Sequence, residues 1–409
     1  MKKIRFIFCC VLSVHFSIAQ DATALLKTGD SLYKVKDYKS AALAYNAGIK
    51  MQGKETAIAR YRSAAASWAL ANMPDSSFYL LNIMAKSDKV SKIDRQQIEF
   101  GLDYSALHAD KRWQPLLDQL QKQAEKNGYQ QEEFIYGRKD GMGLTLIWVK
   151  PKVKSNGKAI ISVRSGNWVS GYNGTEIPSY GIDQYLAKGF SVFAVFHGSQ
   201  PRYAIPDEVE DLKRAVRYIR YNAAKFAIDP GHIGITGGSS GGNLSLLVAT
   251  ADEKINATAN DPIDRVSSRV QAIAVLFPPT DLLQWSSLGN IINAIQLQKI
   301  NRVSGAFDFT IWNQAYYAYD EVTDTSARNK IGKEISPIYA VTPDDPPVFI
   351  IHGDADPTVP LQQSESIIAR FKEAGVPTRF VIKKGGKHNP DDMNPEWQEF
   401  ADWFVKYLK

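Results

Sequence analysis

Between Ile233 and Ala249 the chain runs from a short β-branched stretch (Ile233, Ile235, Thr236) through Gly237-Gly238-Ser239-Ser240-Gly241-Gly242. It then enters the helix-forming Asn243-Leu244-Ser245-Leu246-Leu247-Val248-Ala249. A strand that reverses into a helix through a turn this sharp forces its central residue into strained backbone geometry. The residues two before and two after must then be almost free of side chain. Strand, serine-bearing small-residue turn and helix together have the layout of a nucleophile elbow. A phosphate-cradling turn shares the glycines, but one of the Walker type also needs a lysine that is absent here. Two registers satisfy G-x-S-x-G, one centred on Ser239 and one on Ser240. Ser239 is favoured, because its turn begins directly after Thr236 and leaves Gly242-Asn243-Leu244 to start the helix. Ser240 then supplies a backbone N–H to an oxyanion.

A serine hydroxyl needs a base, and the base needs an acid to orient it. Downstream, the apolar Val348-Phe349-Ile350-Ile351 leads into His352-Gly353-Asp354-Ala355-Asp356-Pro357-Thr358-Val359-Pro360, and Arg379-Phe380-Val381-Ile382 leads to Gly385-Gly386-Lys387-His388. Acid and histidine both follow strands, at the same sheet edge as the serine, in the order Ser, Asp, His. Asp356 is preferred over Asp354, which suits a cap of the turn backbone. A second oxyanion donor belongs in the loop after an earlier central strand, where Arg164-Ser165-Gly166-Asn167-Trp168 stands. Gly166 and Asn167 are the candidates through main-chain N–H, and Trp168 is a candidate wall of the substrate site.

The whole chain of 409 residues is long enough for a large core and a second domain. Residues 1–20 have a basic start (Lys2, Lys3, Arg5), an apolar middle and small residues before Gln20, the pattern of a secretory leader that would leave a periplasmic or secreted protein. Both cysteines, Cys9 and Cys10, lie in this leader, so disulfide and thiolate chemistry are excluded from the rest. Without its three basic residues the formal net charge drops from +6 to +3, with no Lys/Arg block to suggest nucleic acid and no membrane span expected.

Residues 21–126 read as all-helical. Gly29, Tyr38, Ala41 and Tyr45 resemble the small and aromatic positions of tetratricopeptide repeats, which implies a protein-binding array; a short helical cap on an enzyme is the other reading. From residue 127 strands alternate with helices. An α/β fold with a mostly parallel central sheet is expected, preceded by the all-α domain. The aromatic stretch around 282–333, with Trp285, Trp312, Tyr316, Tyr317 and Tyr319, reads either as a lid or as the packing of an inserted helical pair.

Residues 130–409 resemble the α/β-hydrolase superfamily, and within it carboxylesterases of the feruloyl- or acetylxylan-esterase type, neighbours of the hormone-sensitive-lipase group. The residues that carry the resemblance are Tyr136-Gly137-Arg138-Lys139-Asp140-Gly141-Met142, Gly237 to Leu244, and His352 to Pro360. It implies Ser239 as nucleophile, Asp356 as acid and His388 as base, acting on a small-molecule or carbohydrate ester with no metal or organic cofactor. Two departures stand out. Arg164-Ser165-Gly166-Asn167 replaces the His-Gly-Gly-Gly common in relatives, and Phe196-His197-Gly198-Ser199-Gln200-Pro201-Arg202-Tyr203 replaces an Asp-Tyr-Arg segment. His197 is therefore a candidate substrate contact, a structural role standing beside that reading, and Trp285 is a second candidate from the aromatic stretch, whose rings suit a sugar or aryl group. A peptidase of the prolyl-oligopeptidase type, and an inert binding protein built on the repeats, are the alternatives that share these residues.

Overall fold

The computed structural model describes residues 21–53, 56–171, 181–251, 253, 255–285, 307–393 and 396–409. The leader-like segment and residues 286–306 of the expected lid lie outside them. The chain divides into two compact units after Gly128.

The first unit is helical: a run over 21–34, then Tyr38–Gln52, Ile58–Leu70, Pro74–Met84, Lys92–Glu99 and Trp113–Asn127. Its core is built from small residues and rings, among them Ala41, Ala42, Tyr45, Ala64, Ala65, Trp68 and Phe78. Gly29 lies flat against the Tyr45 ring, where any Cβ would collide at 2.7 Å. Small residues at such crossings let helix axes approach closely. Tyr45 then donates its hydroxyl to Asp30.

The second unit is a three-layer α/β structure. It opens with a hairpin of β1 (Gln131–Lys139) and β2 (Met142–Val149). Their loop is Asp140-Gly141, both at positive φ (49° and 82°), the twist a two-residue hairpin turn requires. The strands β3 (Ala159–Val163), β4 (Ser191–Val195), β5 (Ile233–Gly238), β6 (Ala272–Leu276), β9 (Val348–Gly353) and β10 (Thr378–Lys383) complete an eight-stranded sheet ordered β1-β2-β4-β3-β5-β6-β9-β10. Only the β1–β2 and β2–β4 pairs are antiparallel. Every residue of β3, β4, β6 and β9 is buried, as expected of parallel strands covered on both faces. Ile161, Phe193, Ile235, Ile273 and Ile350 point into one layer of the core, while Ile160, Val192, Ala272 and Phe349 point into the other. Among the described residues no helix is long and apolar enough to cross a membrane.

Residues 307–334 differ from a helical pair. They hold a separate two-stranded hairpin, β7 (Thr310–Asn313) and β8 (Ala318–Glu321), and then the helix Thr325–Glu334. Thr310, Ile311 and Trp312 facing Tyr319 are β-branched and aromatic, residues that suit a pleated surface better than a helix.

Candidate active site

Strand β5 runs through Gly238 and the helix Ser240–Thr250 starts immediately after Ser239, so one residue makes the turn. Ser239 has φ 55° and ψ −125°, a region that L-residues enter only when the surroundings hold them there. The glycines explain how. A Cβ on Gly237 would sit 2.4 Å from the Gly241 carbonyl oxygen, and one on Gly241 would meet the Val163 oxygen at 3.0 Å. A Cβ on Gly238 would find only ordinary contact with Phe277 at 3.5 Å. A Cβ on Gly242 would meet Pro278 at 3.0 Å, as tight as one on Gly241, so it is the Gly237 contact and the Ser239 backbone that single out the Gly237-x-Ser239-x-Gly241 register. Ser240 stands in the first helical turn, buried, its Oγ 3.1 Å from Ser165 Oγ.

Strands β9 and β10 bring the other two groups to the same edge. A Cβ on Gly353 would fall 2.1 Å from the Gly386 oxygen, so the two post-strand loops pass each other at backbone distance. They are joined by Asp354 N–H to Lys383 O and Ala355 N–H to Gly386 O, both 3.0 Å. Asp354 Oδ1 accepts the Gly385 N–H at 2.6 Å and so braces the turn. Asp356 Oδ1 accepts the N–H groups of Thr358 and Val359 at 2.8 and 2.9 Å, which aims Oδ2 at His388.

His388 Nδ1 lies 2.7 Å from Asp356 Oδ2, and its Nε2 lies 2.9 Å from Ser239 Oγ. An ionised carboxylate only accepts, so Nδ1 carries the ring proton and Nε2 accepts from the serine hydroxyl. Burial opposes the charge on Asp356, but the His352 and His388 contacts outweigh it and hold its carboxyl well below the usual carboxylate range. The Phe277 ring, centred 4.3 Å from that of His388, covers the imidazole.

The loop after β3 departs from expectation. Gly166 and Val169 exchange two backbone hydrogen bonds of 3.0 Å, closing a turn whose corners, Asn167 and Trp168, have φ 53° and 57°. The Gly166 N–H is thus committed inside the turn and is no oxyanion donor; Asn167 stands outside that pair of bonds. Trp168 is buried, and its Nε1–H donates to Asn243 Oδ1 on the elbow helix at 3.0 Å. It ties the loop to the helix and is no open wall. His197 is buried too, its Nδ1 on the Gly198 carbonyl and 3.6 Å from Glu208 Oε2, and burial pushes its pKa down to about 4. Its place behind the loop, with its N–H toward Ser170 Oγ at 3.3 Å, is structural. Trp285 is likewise a core residue.

Three partners of the site escaped the sequence reading: His352, Asn243 and Phe277. His352 carried a visible signal, since it opens the motif that holds Asp356. Asn243 stood inside the elbow motif without a role and Phe277 carried no signal, because only tertiary packing relates them to Trp168 and His388.

Residues 146–371 match the BD-FAE family model. Esterase LipQ of Mycobacterium tuberculosis is 26% identical over 272 residues, covering 64% of this chain and 58% of that protein. The chain spans about half the length of the curated relatives it matches. A truncated carbohydrate esterase from gut microbiota superposes with TM-score 0.54 at 27% identity, over 68% of this chain and 97% of that one. An acetyl ester-xyloside bifunctional hydrolase from Caldicellulosiruptor lactoaceticus, at 23% identity and TM-score 0.51, covers 67% of this chain and 96% of its own and shares the fold. With more than half of its length matched by that model, and with this sheet and this elbow, the chain belongs to the BD-FAE family of α/β-hydrolase esterases.

Proposed function

We propose that this protein is an exported serine esterase that removes acyl groups, such as acetyl or feruloyl, from carbohydrate esters. The observation that carries the chemistry is the continuous line from Ser239 Oγ through His388 to Asp356. Ser239 Oγ attacks the ester carbonyl carbon while His388 Nε2 takes its proton, and Asp356 holds the imidazolium in place. The N–H groups of Ser240 and Asn167 are the proposed oxyanion donors, the first aided by the positive end of its helix. Collapse of the tetrahedral adduct expels the alcohol, which leaves with the proton from His388. Water then gives a proton to His388 and attacks the acyl-serine, releasing the acid and restoring Ser239. The carbohydrate half of the reading is supported by the likeness to the 27% identical carbohydrate esterase from gut microbiota.

In the same reading residues 1–20 direct export, 21–126 form a tetratricopeptide-like unit that takes a protein partner, and 127–409 form the hydrolase domain. Ser239→Ala tests the chemistry. Hydrolysis of short p-nitrophenyl esters falls by about 10⁴-fold or more, and labelling by a fluorophosphonate probe disappears. Retention of the parent rate would overturn the assignment. Export is checked by fractionating cells that express the full chain and sequencing the N-terminus of the product.

A further inference from the structure

The proposed ester chemistry makes no use of the β7–β8 hairpin, yet this hairpin displays a concentrated aromatic surface. Trp312 and Tyr319 are cross-strand partners, with rings 5.1 Å apart and edge to face. Tyr317 reaches Trp312 from the turn at 6.3 Å, and Phe307 borders Tyr319 at 6.0 Å. The result is a strip of rings along one face; on the other, Asn313 donates to Asp320. Trp312 and Tyr319 are 46% and 45% exposed, and Tyr316 and Tyr317 are 78% and 74% exposed. Rings gathered like this form a patch, and patches of this kind mark binding surfaces.

Two further observations indicate the occupant. Residues 307–324 contain no lysine or arginine, which disfavours an anionic lipid surface or an acidic polymer. A neutral sugar ring suits the patch. Its axial C–H groups meet the electron-rich ring faces, and its hydroxyls find the exposed phenols of Tyr316 and Tyr317. The hairpin is also joined to the oxyanion-side loop. Gln200 takes the Phe307 N–H on its Oε1 at 3.2 Å and donates to Asp308 Oδ2 at 2.7 Å. The backbone N–H of the same Gln200 donates to Trp168 O at 3.1 Å, and Tyr319 Oη donates to Pro201 O at 3.4 Å.

We propose that this aromatic face is a docking platform for a neutral polysaccharide, stacking pyranose rings of the glycan whose ester Ser239 cleaves. The glycan's role as the esterified substrate rests on the reading above; the binding itself does not. The test is affinity electrophoresis of the full chain carrying Ser239→Ala, in native gels cast with xylan, galactomannan or hydroxyethyl cellulose. At least one polysaccharide retards the protein. Adding Trp312→Ala and Tyr317→Ala weakens the retardation about tenfold, and Trp312→Phe with Tyr317→Phe restores much of it. With Ser239 intact, the double alanine variant hydrolyses p-nitrophenyl acetate within twofold of the parent. The proposal is overturned if no polysaccharide retards the protein or if the alanine variant is retarded equally. It is also overturned if the two alanines instead abolish binding to phosphatidylcholine vesicles or dissolve a dimer. Retardation by a protein inert on p-nitrophenyl esters would sink the esterase reading and leave the platform standing; activity without retardation would do the reverse.

Discussion

His352 Nε2 lies 3.4 Å from Asp356 Oδ2, the same oxygen that receives His388. Its ring is fully buried, with Nε2 2.9 Å from the Val359 carbonyl and Nδ1 2.7 Å from Ser364 Oγ. A carbonyl only accepts, so Nε2 carries the proton and Nδ1 takes the Ser364 hydroxyl. Its N–H is therefore given to the Val359 carbonyl while the ring lies beside the Asp356 carboxylate, which makes His352 a positioning residue for the loop that carries the acid.

Replacing His352 by Ala leaves the Val359 carbonyl and the buried Ser364 hydroxyl unpaired and loosens the loop that aims Asp356. We expect kcat on p-nitrophenyl esters to fall by about 10- to 100-fold with KM little changed, the scale of one buried polar group left unpaired. Steady-state kinetics beside a thermal melt separate the two effects. An unchanged kcat in a destabilised protein would make His352 a core residue only.

The elbow offers a paired test of register. Gly237→Ala collides with the Gly241 carbonyl and should abolish detectable turnover, whereas Gly238→Ala has room and should keep activity within a fewfold. The opposite ranking would move the nucleophile to Ser240.

Gly353→Ala drives a methyl group into the Gly386 backbone, which cannot rotate away as a side chain would. The His388 loop must shift outward. Loss of about 1–3 kcal/mol of stability, the usual range for overpacking, should accompany a larger loss of kcat. Urea unfolding and ester hydrolysis measure the two separately.

Acid stability should follow Asp356. Its folded pKa is depressed below the unfolded value of about 4, so its contribution is complete above that value and is lost as pH falls through and below it. Asp356→Asn should lower the melting temperature at pH 7 and narrow the gap to the parent as pH drops below about 4.

Glu208 titrates in the other sense. Burial, with Asp308 nearby, pushes its pKa up to about 10. Between about 4.3 and that value the unfolded chain releases a proton that the folded protein keeps, so stability falls as pH rises across the window. Glu208→Gln removes this drain and should raise the melting temperature at pH 8 by about 2 °C or more, with little change at pH 4.5. A pH series of thermal melts decides it; equal gains at both pH values would contradict the buried neutral acid.

Residue order alone determined the fold class, the elbow and its pairing with Asp356 and His388. Strand periodicity, turn glycines and scarce histidines are local signals, and a parallel sheet brings every post-strand loop to one edge. Identities at a distance were not legible. Gly166 and Asn167 look equivalent as small loop residues, and only the closed turn shows which amide is committed. Trp168, His197 and Trp285 look like binding residues for the same reason that they prove to be structural ones: an aromatic ring or imidazole suits a pocket wall and a core equally well. Burial chooses between these roles, and burial is a property of how β3, β4 and the elbow helix pack together. The tertiary structure decided those three residues, just as the backbone contact of Gly353 with Gly386 placed His388 within reach of Ser239.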